Sequence, residues 1–317
     1  MSFKSSKVVV VGTGNVGANT AYSIINQGLC EEVVLIDVNK EKAYAEALDM
    51  QHAMYFLNRN INIHAGDYSE CGNADIVIIT AAAPMPKDSS SRLELLGPSM
   101  NIIKSIVESV MESGFNGIFV IVSNPVDIMT YYVQKLSKLP ANHVIGSGTA
   151  LDTARVCCRL AKAYDLDAKS VEAFVIGEHG DTETMAWESA TIGGKYLTDI
   201  LSDNSERSND ITKEKLLDWS KKSGWEIFSR KGNTCYGIAA STTAIVKSIL
   251  YNENKILPVS VQLNGEYGIK DLYFSVPTIL NADGAKEIVE IRLRDEEARE
   301  LAHSAEVIRS FYKDLNI

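Results

Sequence analysis

Histidine and cysteine are both scarce in this chain, five of each in 317 residues. The cysteines, Cys30, Cys71, Cys157, Cys158 and Cys235, are odd in number and show no CxxC spacing. Neither a disulfide framework nor a zinc site is therefore expected, and no other metal site is read from the sequence. Long apolar runs are also missing. The run Val8-Val9-Val10-Val11 is too short for a signal-peptide core or a membrane span, so the cytoplasm is the expected compartment. Positive charge is in deficit, with 31 Lys and Arg against 41 Asp and Glu and a net charge of −10. That balance argues against nucleic acid or an anionic membrane as the main partner. Any anionic ligand must be met by a few placed Arg or Lys residues. No internal repeat and no low-complexity segment is visible.

What is present is an ordinary globular composition, 45% hydrophobic and 23% charged, with length for two domains at ~150 residues each. Short β-branched runs at 7–11, 33–36, 76–80, 117–122 and 143–145 alternate with helical patterns at 15–27, 40–54, 99–113 and 128–137. Strand alternating with helix predicts a doubly wound parallel α/β sheet, placed here over residues 1–146. The pattern then changes. A long helix is expected over 149–164, strand-forming segments at 171–176, 257–263, 274–280 and 287–291, and a final amphipathic helix over 295–315. Residues 147–317 thus read as a mixed α+β second domain, with 202–212 as an exposed excursion.

Gly12-Thr13-Gly14-Asn15-Val16-Gly17 is a G-x-G-x-x-G between a strand and a helix, and Asp37 ends the next strand twenty residues after Gly17. Gly12 permits a tight turn, Gly14 lets the backbone approach a pyrophosphate, and Gly17 lets helix and sheet pack closely. The free N–H groups at the helix start, at Asn15 and Val16, would face the phosphates. Asp37 would accept the hydroxyls of an adenosine ribose and repel a 2′-phosphate, which selects NAD over NADP. The alternative is a purely structural glycine turn.

Of the five histidines, His179 stands apart in Gly177-Glu178-His179-Gly180-Asp181, directly after an apolar run. A histidine between glycines at a strand end is placed to reach into a cleft, although a satisfied core histidine is an equal reading of the residues alone. Asp152 and Arg155 in Leu151-Asp152-Thr153-Ala154-Arg155 are three apart and can share one helix face. Taken singly, Asp152 could be a helix N-cap and Arg155 a solvated charge. Ser123-Asn124-Pro125-Val126-Asp127 follows a strand's C-terminal end, where doubly wound folds place ligands.

GTGNVG, SNPVD, LDTAR and GEHGD in this order resemble the NAD-dependent lactate/malate dehydrogenase family, and the likeness extends over essentially the whole chain. The resemblance implies a Rossmann N-terminal domain followed by a catalytic domain, NAD as cofactor, and a small 2-oxo or 2-hydroxy acid as substrate. It implies His179 as proton donor and acceptor at the substrate's C2 oxygen, with Asp152 orienting the ring and favouring its charged form. Arg155 would grip the substrate carboxylate with its planar fork, and Arg92 would polarise the carbonyl from a loop that closes over the site. Asn124 would stand near both carbonyl and nicotinamide, Thr234 beside the substrate, and Val122 and Ser147 beside the cofactor.

The family's substrate discriminator corresponds to Met85 here. Methionine cannot pair with a second carboxylate, which disfavours malate and leaves pyruvate to L-lactate as the leading expectation. A broader L-2-hydroxyacid dehydrogenase of the hydroxyisocaproate type is the runner-up, because a flexible apolar residue suits a larger side chain. A non-catalytic NAD-binding protein is the reading from another class. A homo-oligomer, dimer or tetramer, is implied. Activation by fructose 1,6-bisphosphate is not expected, because Cys157 and Glu172 stand where many bacterial relatives carry the Arg and His that hold its phosphates.

Overall fold

A computed structural model describes residues 6–83, 96–203 and 211–312. Six parallel strands make the frame: β1 (Lys7–Val11), β2 (Glu32–Ile36), β3 (Asn62–Ala65), β4 (Ile76–Ile79), β5 (Ile118–Ile121) and β6 (Val144–Gly146). Their spatial order, 3-2-1-4-5-6, reverses direction between β1 and β4. β1 and β4 are buried along their whole length, which is why their sequences are unbroken β-branched runs.

Alternate residues serve opposite faces. Val8 and Val10 join the core under α1 (Asn15–Gln27), while Val9 and Val11 join a second core under α3 (Leu96–Glu112) and α4 (Val126–Ser137). Each such fully buried side chain stabilises the fold by about 1.5–3 kcal/mol relative to exposure. α2 (Lys40–Ala53) completes the first half of the chain as described.

The second half is attached to the same sheet. β12 (Lys255–Asn264) pairs antiparallel with β6 at Ser260 and Gly146, and β13 (Lys270–Asn281) and β14 (Gly284–Ile288) follow it. Among the described residues this makes a nine-stranded sheet. α5 (Ala150–Tyr164) packs over short ribbons made by β7 (Val171–Glu172), β8 (Val175–Ile176), β9 (Thr184–Met185), β10 (Thr191–Ile192) and β11 (Lys195–Tyr196). The helices α6 (Leu197–Asp203), α7 (Lys213–Lys231), α8 (Tyr236–Leu250) and α9 (Asp295–Tyr312) complete the chain, α8 lying against α1.

Three expectations need correction. The run 171–176 is not one strand: β7 pairs with β10 and β8 with β9, so two small sheets divide it. The strand expected at 287–291 begins earlier, at Gly284, where it closes a hairpin with β13. α7, α8 and the frame strand β3 were not anticipated. Leu216 and Leu217 are buried near the start of α7, but further along Ser220 and Ser223 are buried while Trp225, Ile227 and Phe228 are exposed, so its hydrophobic pattern marks the inward side only at the start. Of the excursion expected at 202–212, residues 202 and 203 end α6 and Thr212 caps α7.

Candidate active site

The chain leaves β1 through Gly12, whose φ of 96° suits glycine. A Cβ on Gly17 would lie 1.8 Å from the Gly12 carbonyl oxygen, so this glycine lets the first turn of α1 fold down onto the loop. Gly14 has a different surrounding: a Cβ there would meet nothing within 4 Å. It starts α1 without a side-chain cap, and the first turn holds no acidic residue. The helix start, with exposed Asn15 and half-buried Val16, therefore turns unpaired N–H groups and a partial positive charge toward open space. That is a cradle into which a pyrophosphate fits.

Asp37 closes one side of the cradle. Its Oδ2 accepts the Thr13 N–H at 2.6 Å and the Thr13 hydroxyl at 3.0 Å, and its Oδ1 accepts the Asn39 N–H at 2.9 Å. Burial pushes the carboxyl up, but these bonds outweigh it and hold Asp37 below the usual range, hence charged. Val122 and Ser147 are buried where β5 and β6 end, and the Ser147 N–H donates to Ile121 O at 2.8 Å. All these positions lie at the carboxyl ends of parallel strands, the edge at which open α/β sheets bind ligands.

Asp152 organises the second cluster. It is buried in the first turn of α5, and Thr149, not Asp152, is the residue that precedes the helix as N-cap. Its Oδ2 lies 2.6 Å from His179 Nδ1, and its Oδ1 accepts from Arg155 Nη1 at 2.8 Å. One carboxylate thus divides its oxygens between an imidazole and a guanidinium. Burial pushes Asp152 up, yet the charges of His179 and Arg155 and the ring hydrogen bond bring it below its ordinary value. For His179, burial alone would favour the neutral ring; the charge and hydrogen bond of Asp152 outweigh it, and the imidazolium is held up to about 9. The His179 side chain keeps 23% of its exposure and that of Arg155 15%, so neither is a sealed core residue nor a solvated charge.

The backbone of His179 is pinned from three elements. Its N–H donates to Asp127 Oδ2 at 2.8 Å, the Glu178 N–H donates to Ser304 Oγ at 3.0 Å, and Gly177 exchanges backbone bonds with Ser275 on β13. Asp127 is buried in α4 and also accepts from Ser275 Oγ at 3.2 Å; burial pushes its carboxyl up to about 6. Asn124, joined to Pro125 by a cis peptide bond, is exposed at the mouth of the same loop. Thr234 is half-buried in the turn between α7 and α8.

The structure therefore brings His179, Asp152 and Arg155 into one bonded cluster and gathers Gly12, Gly14, Gly17 and Asp37 into another. Met85 and Arg92 lie outside the described residues. Three neighbours were not singled out from sequence. Asp127 stood inside a quoted motif without a role. Gly224 on α7 passes so near that a Cβ there would be 3.4 Å from Arg155 Nη2. Glu183 is 4% exposed and points one oxygen, Oε1, into the protein without a hydrogen-bond partner. An acid four residues after His179 was the available sign.

Residues 6–146 match the family model described as lactate/malate dehydrogenase, NAD binding domain, and 149–315 match the α/β C-terminal domain of the same family. The L-lactate dehydrogenase 3 of Bacillus anthracis is 45% identical over 315 residues, spanning 99% of each chain. The L-lactate dehydrogenase 2 of that organism is 46% identical over 305 residues, 96% of each. The crystal structure of the minor L-lactate dehydrogenase from Enterococcus mundtii in its ligands-bound form superposes with a TM-score of 0.94 at 42% identity, covering 99% of this chain and 100% of that one. Sequence and tertiary structure match along the whole length, and the chain accordingly belongs to the NAD-dependent lactate/malate dehydrogenase family.

Proposed function

We propose that the chain reduces pyruvate to L-lactate: 2-oxo acid, NADH and a proton are converted reversibly to 2-hydroxy acid and NAD⁺. The observation that carries this reading is the single carboxylate of Asp152 holding His179 and Arg155 at 2.6 and 2.8 Å. NADH, when bound against the glycine loop and Asp37, supplies the hydride. The rest belongs to the chain. Arg155 takes the substrate carboxylate with its planar fork and fixes the pose. His179, kept protonated by Asp152, gives its proton to the C2 oxygen as the carbonyl is reduced and takes it back in the reverse direction. Asn124 and Thr234 line the substrate's surroundings, and Arg92 is assigned to the carbonyl oxygen as charge builds there.

Met85 as the discriminating residue argues for a monocarboxylate and against malate. Larger 2-oxo acids are the second reading, because a flexible apolar methionine at the discriminating position suits a larger substrate side chain. A kcat/KM series with NADH and pyruvate, oxaloacetate, 2-oxo-4-methylpentanoate and phenylpyruvate tests both. Pyruvate is expected to lead. Oxaloacetate in first place would overturn the Met85 assignment, a tenfold lead by the branched acid would promote the second reading, and turnover of none would leave only an NAD-binding protein.

The division between a nucleotide domain (1–146) and a substrate domain (147–317), a cytoplasmic location and a homo-oligomeric state belong to the same proposal. Among the described residues no helix is long and apolar enough to cross a membrane. The exposed aromatics Tyr55, Phe56 and Trp225 are surface that a second copy of the chain would cover. Cys157 is directed toward the Val171 carbonyl at 3.8 Å, and Glu172 is an exposed acid, so neither favours a sugar bisphosphate. Millimolar fructose 1,6-bisphosphate is expected to leave the pyruvate KM unchanged.

A further inference from the structure

We infer that Glu183 is a positioning residue of the hydride-transfer site, a second buried carboxyl that shares the titration of His179 and, once ionised, opposes capture of the anionic substrate at Arg155. The inference rests on the proposed role of His179. Its ground is geometric. One oxygen each of Asp152 and Glu183 and one ring nitrogen of His179 lie within 4.8 Å of one another. The two acids are not equivalent. Both Asp152 oxygens are taken, by Arg155 and His179, whereas Glu183 Oε1 is buried with no hydrogen-bond partner among the described residues.

A carboxyl so placed is poorly solvated when charged, and leaving a buried polar atom unpaired in a structure calls for a reason. The reason lies in the charge count of the site. With His179 protonated, Asp152 ionised and Glu183 neutral, the cluster including Arg155 carries one net positive charge, which a monocarboxylate substrate neutralises. Ionised Glu183 removes that charge before substrate arrives. It also holds the proton on His179 more firmly, since a negative neighbour favours the imidazolium.

The surrounding charges agree with this order of events. Burial and the Asp152 charge both oppose ionisation of Glu183; His179, Lys221 from α7 and Arg155 favour it, and the outcome is a carboxyl pushed up to about 8. Lys221 is already engaged, donating to the Asp181 carbonyl at 2.7 Å. From α9, Glu300 takes Lys213 and the Thr184 hydroxyl beside Glu183. On the far side of His179, Asp127 accepts its backbone N–H. The alkaline fall of pyruvate reduction therefore contains two coupled proton losses, belonging to Glu183 and His179 as a pair.

The test is the pH profile of pyruvate reduction by the full-length enzyme with NADH, in the parent and in Glu183→Gln. In the parent, log kcat/KM is expected to steepen toward a slope of about two on the alkaline side, the pyruvate KM rising first; in Glu183→Gln the slope is about one and the fall begins at higher pH, because only the His179 proton is then lost. A slope of about two that survives in Glu183→Gln overturns the inference, as does a uniform loss at every pH with the slope unchanged. Should the variant fail to fold, the parent enzyme labelled with ¹³C at glutamate carboxyls decides: one glutamate resonance titrating near 8 is expected, and all titrating in the ordinary range overturns it. His179→Asn separates the two levels, because reduction persisting there fails the proposed role of His179 itself, whereas its loss leaves only the Glu183 step at issue.

Discussion

The Thr13 backbone N–H donates to Asp37 Oδ2 at 2.6 Å, tying the glycine loop after the first strand to the end of the second. The same oxygen takes the Thr13 hydroxyl. Asp37 thus shapes the loop proposed to meet the pyrophosphate, and its negative charge lies at the strand end proposed to meet the ribose. Hydrogen bonds to a charged group contribute about 1.5–3 kcal/mol each. Asp37→Ser is expected to raise the NADH KM on the order of 10–100-fold and to narrow the preference for NADH over NADPH. Initial rates with both cofactors check this; an unchanged preference would remove Asp37 from ribose recognition.

Two glycines of one loop are expected to separate folding from cofactor binding. Gly17→Ala would place a methyl 1.8 Å from a backbone oxygen, and overpacking of this kind costs about 1–3 kcal/mol. The urea midpoint should fall accordingly. Gly14 has φ −66° and open space around it, so Gly14→Ala should unfold like the parent. Its methyl occupies the approach to the helix start, and NADH affinity should fall at least about tenfold by fluorescence titration. Equal affinity in Gly14→Ala would move the pyrophosphate elsewhere.

Arg155 gives Nη1 to Asp152 and the Ser220 carbonyl, and among the described residues the rest of its fork is left for a planar carboxylate. Lysine offers a single point charge and no fork. Arg155→Lys is expected to raise the pyruvate KM about 10–100-fold with a smaller change in kcat, since the lost contact is made to bound substrate before as well as during reaction. A loss confined to kcat would assign Arg155 a different task.

Replacing Asp152 by Asn removes the charge that keeps His179 protonated. Because the folded value of His179 is raised, to about 9 from an ordinary 6.5, the imidazolium contributes stability that is complete below pH 6.5 and is lost as pH rises through about 9. In Asp152→Asn the alkaline limb of pyruvate reduction should move to lower pH, and kcat/KM at neutral pH should fall about 10²–10⁴-fold. Melting temperatures measured from pH 6 to pH 10 should decline less steeply in the variant. Parallel declines would show that His179 titrates independently of Asp152.

How much of this could be read from the chain follows from the range of each interaction. Strand, glycine turn, helix and Asp37 are consecutive, and their roles follow from local backbone geometry, so that stretch was legible to within a few residues; the edge strand β3, with Ile63 alone of its four residues buried, carries no apolar run and was missed. Asp152 and Arg155 are one helical turn apart, and their pairing is again a local matter. His179 was conspicuous between glycines, but its partner lies 27 positions earlier, a distance bridged only when β8 docks on α5, where Val175 bonds to the Thr149 and Thr153 hydroxyls.

The sequence by itself determined the periodicities, and with them the alternation of buried strands and helices and the short motifs at their ends. Only the tertiary structure decided which surfaces close over which. α7 buries serines and exposes Trp225 and Phe228, and the run 171–176 divides between two sheets. The fourth to sixth strands of the frame continue into β12–β14, and Asp127, Asp152, Glu183 and Glu297 go under while acids such as Glu172 stay in water. Burial is a property of the assembled layers: it depends on the atoms that arrive from distant segments, and no periodicity within a segment records them.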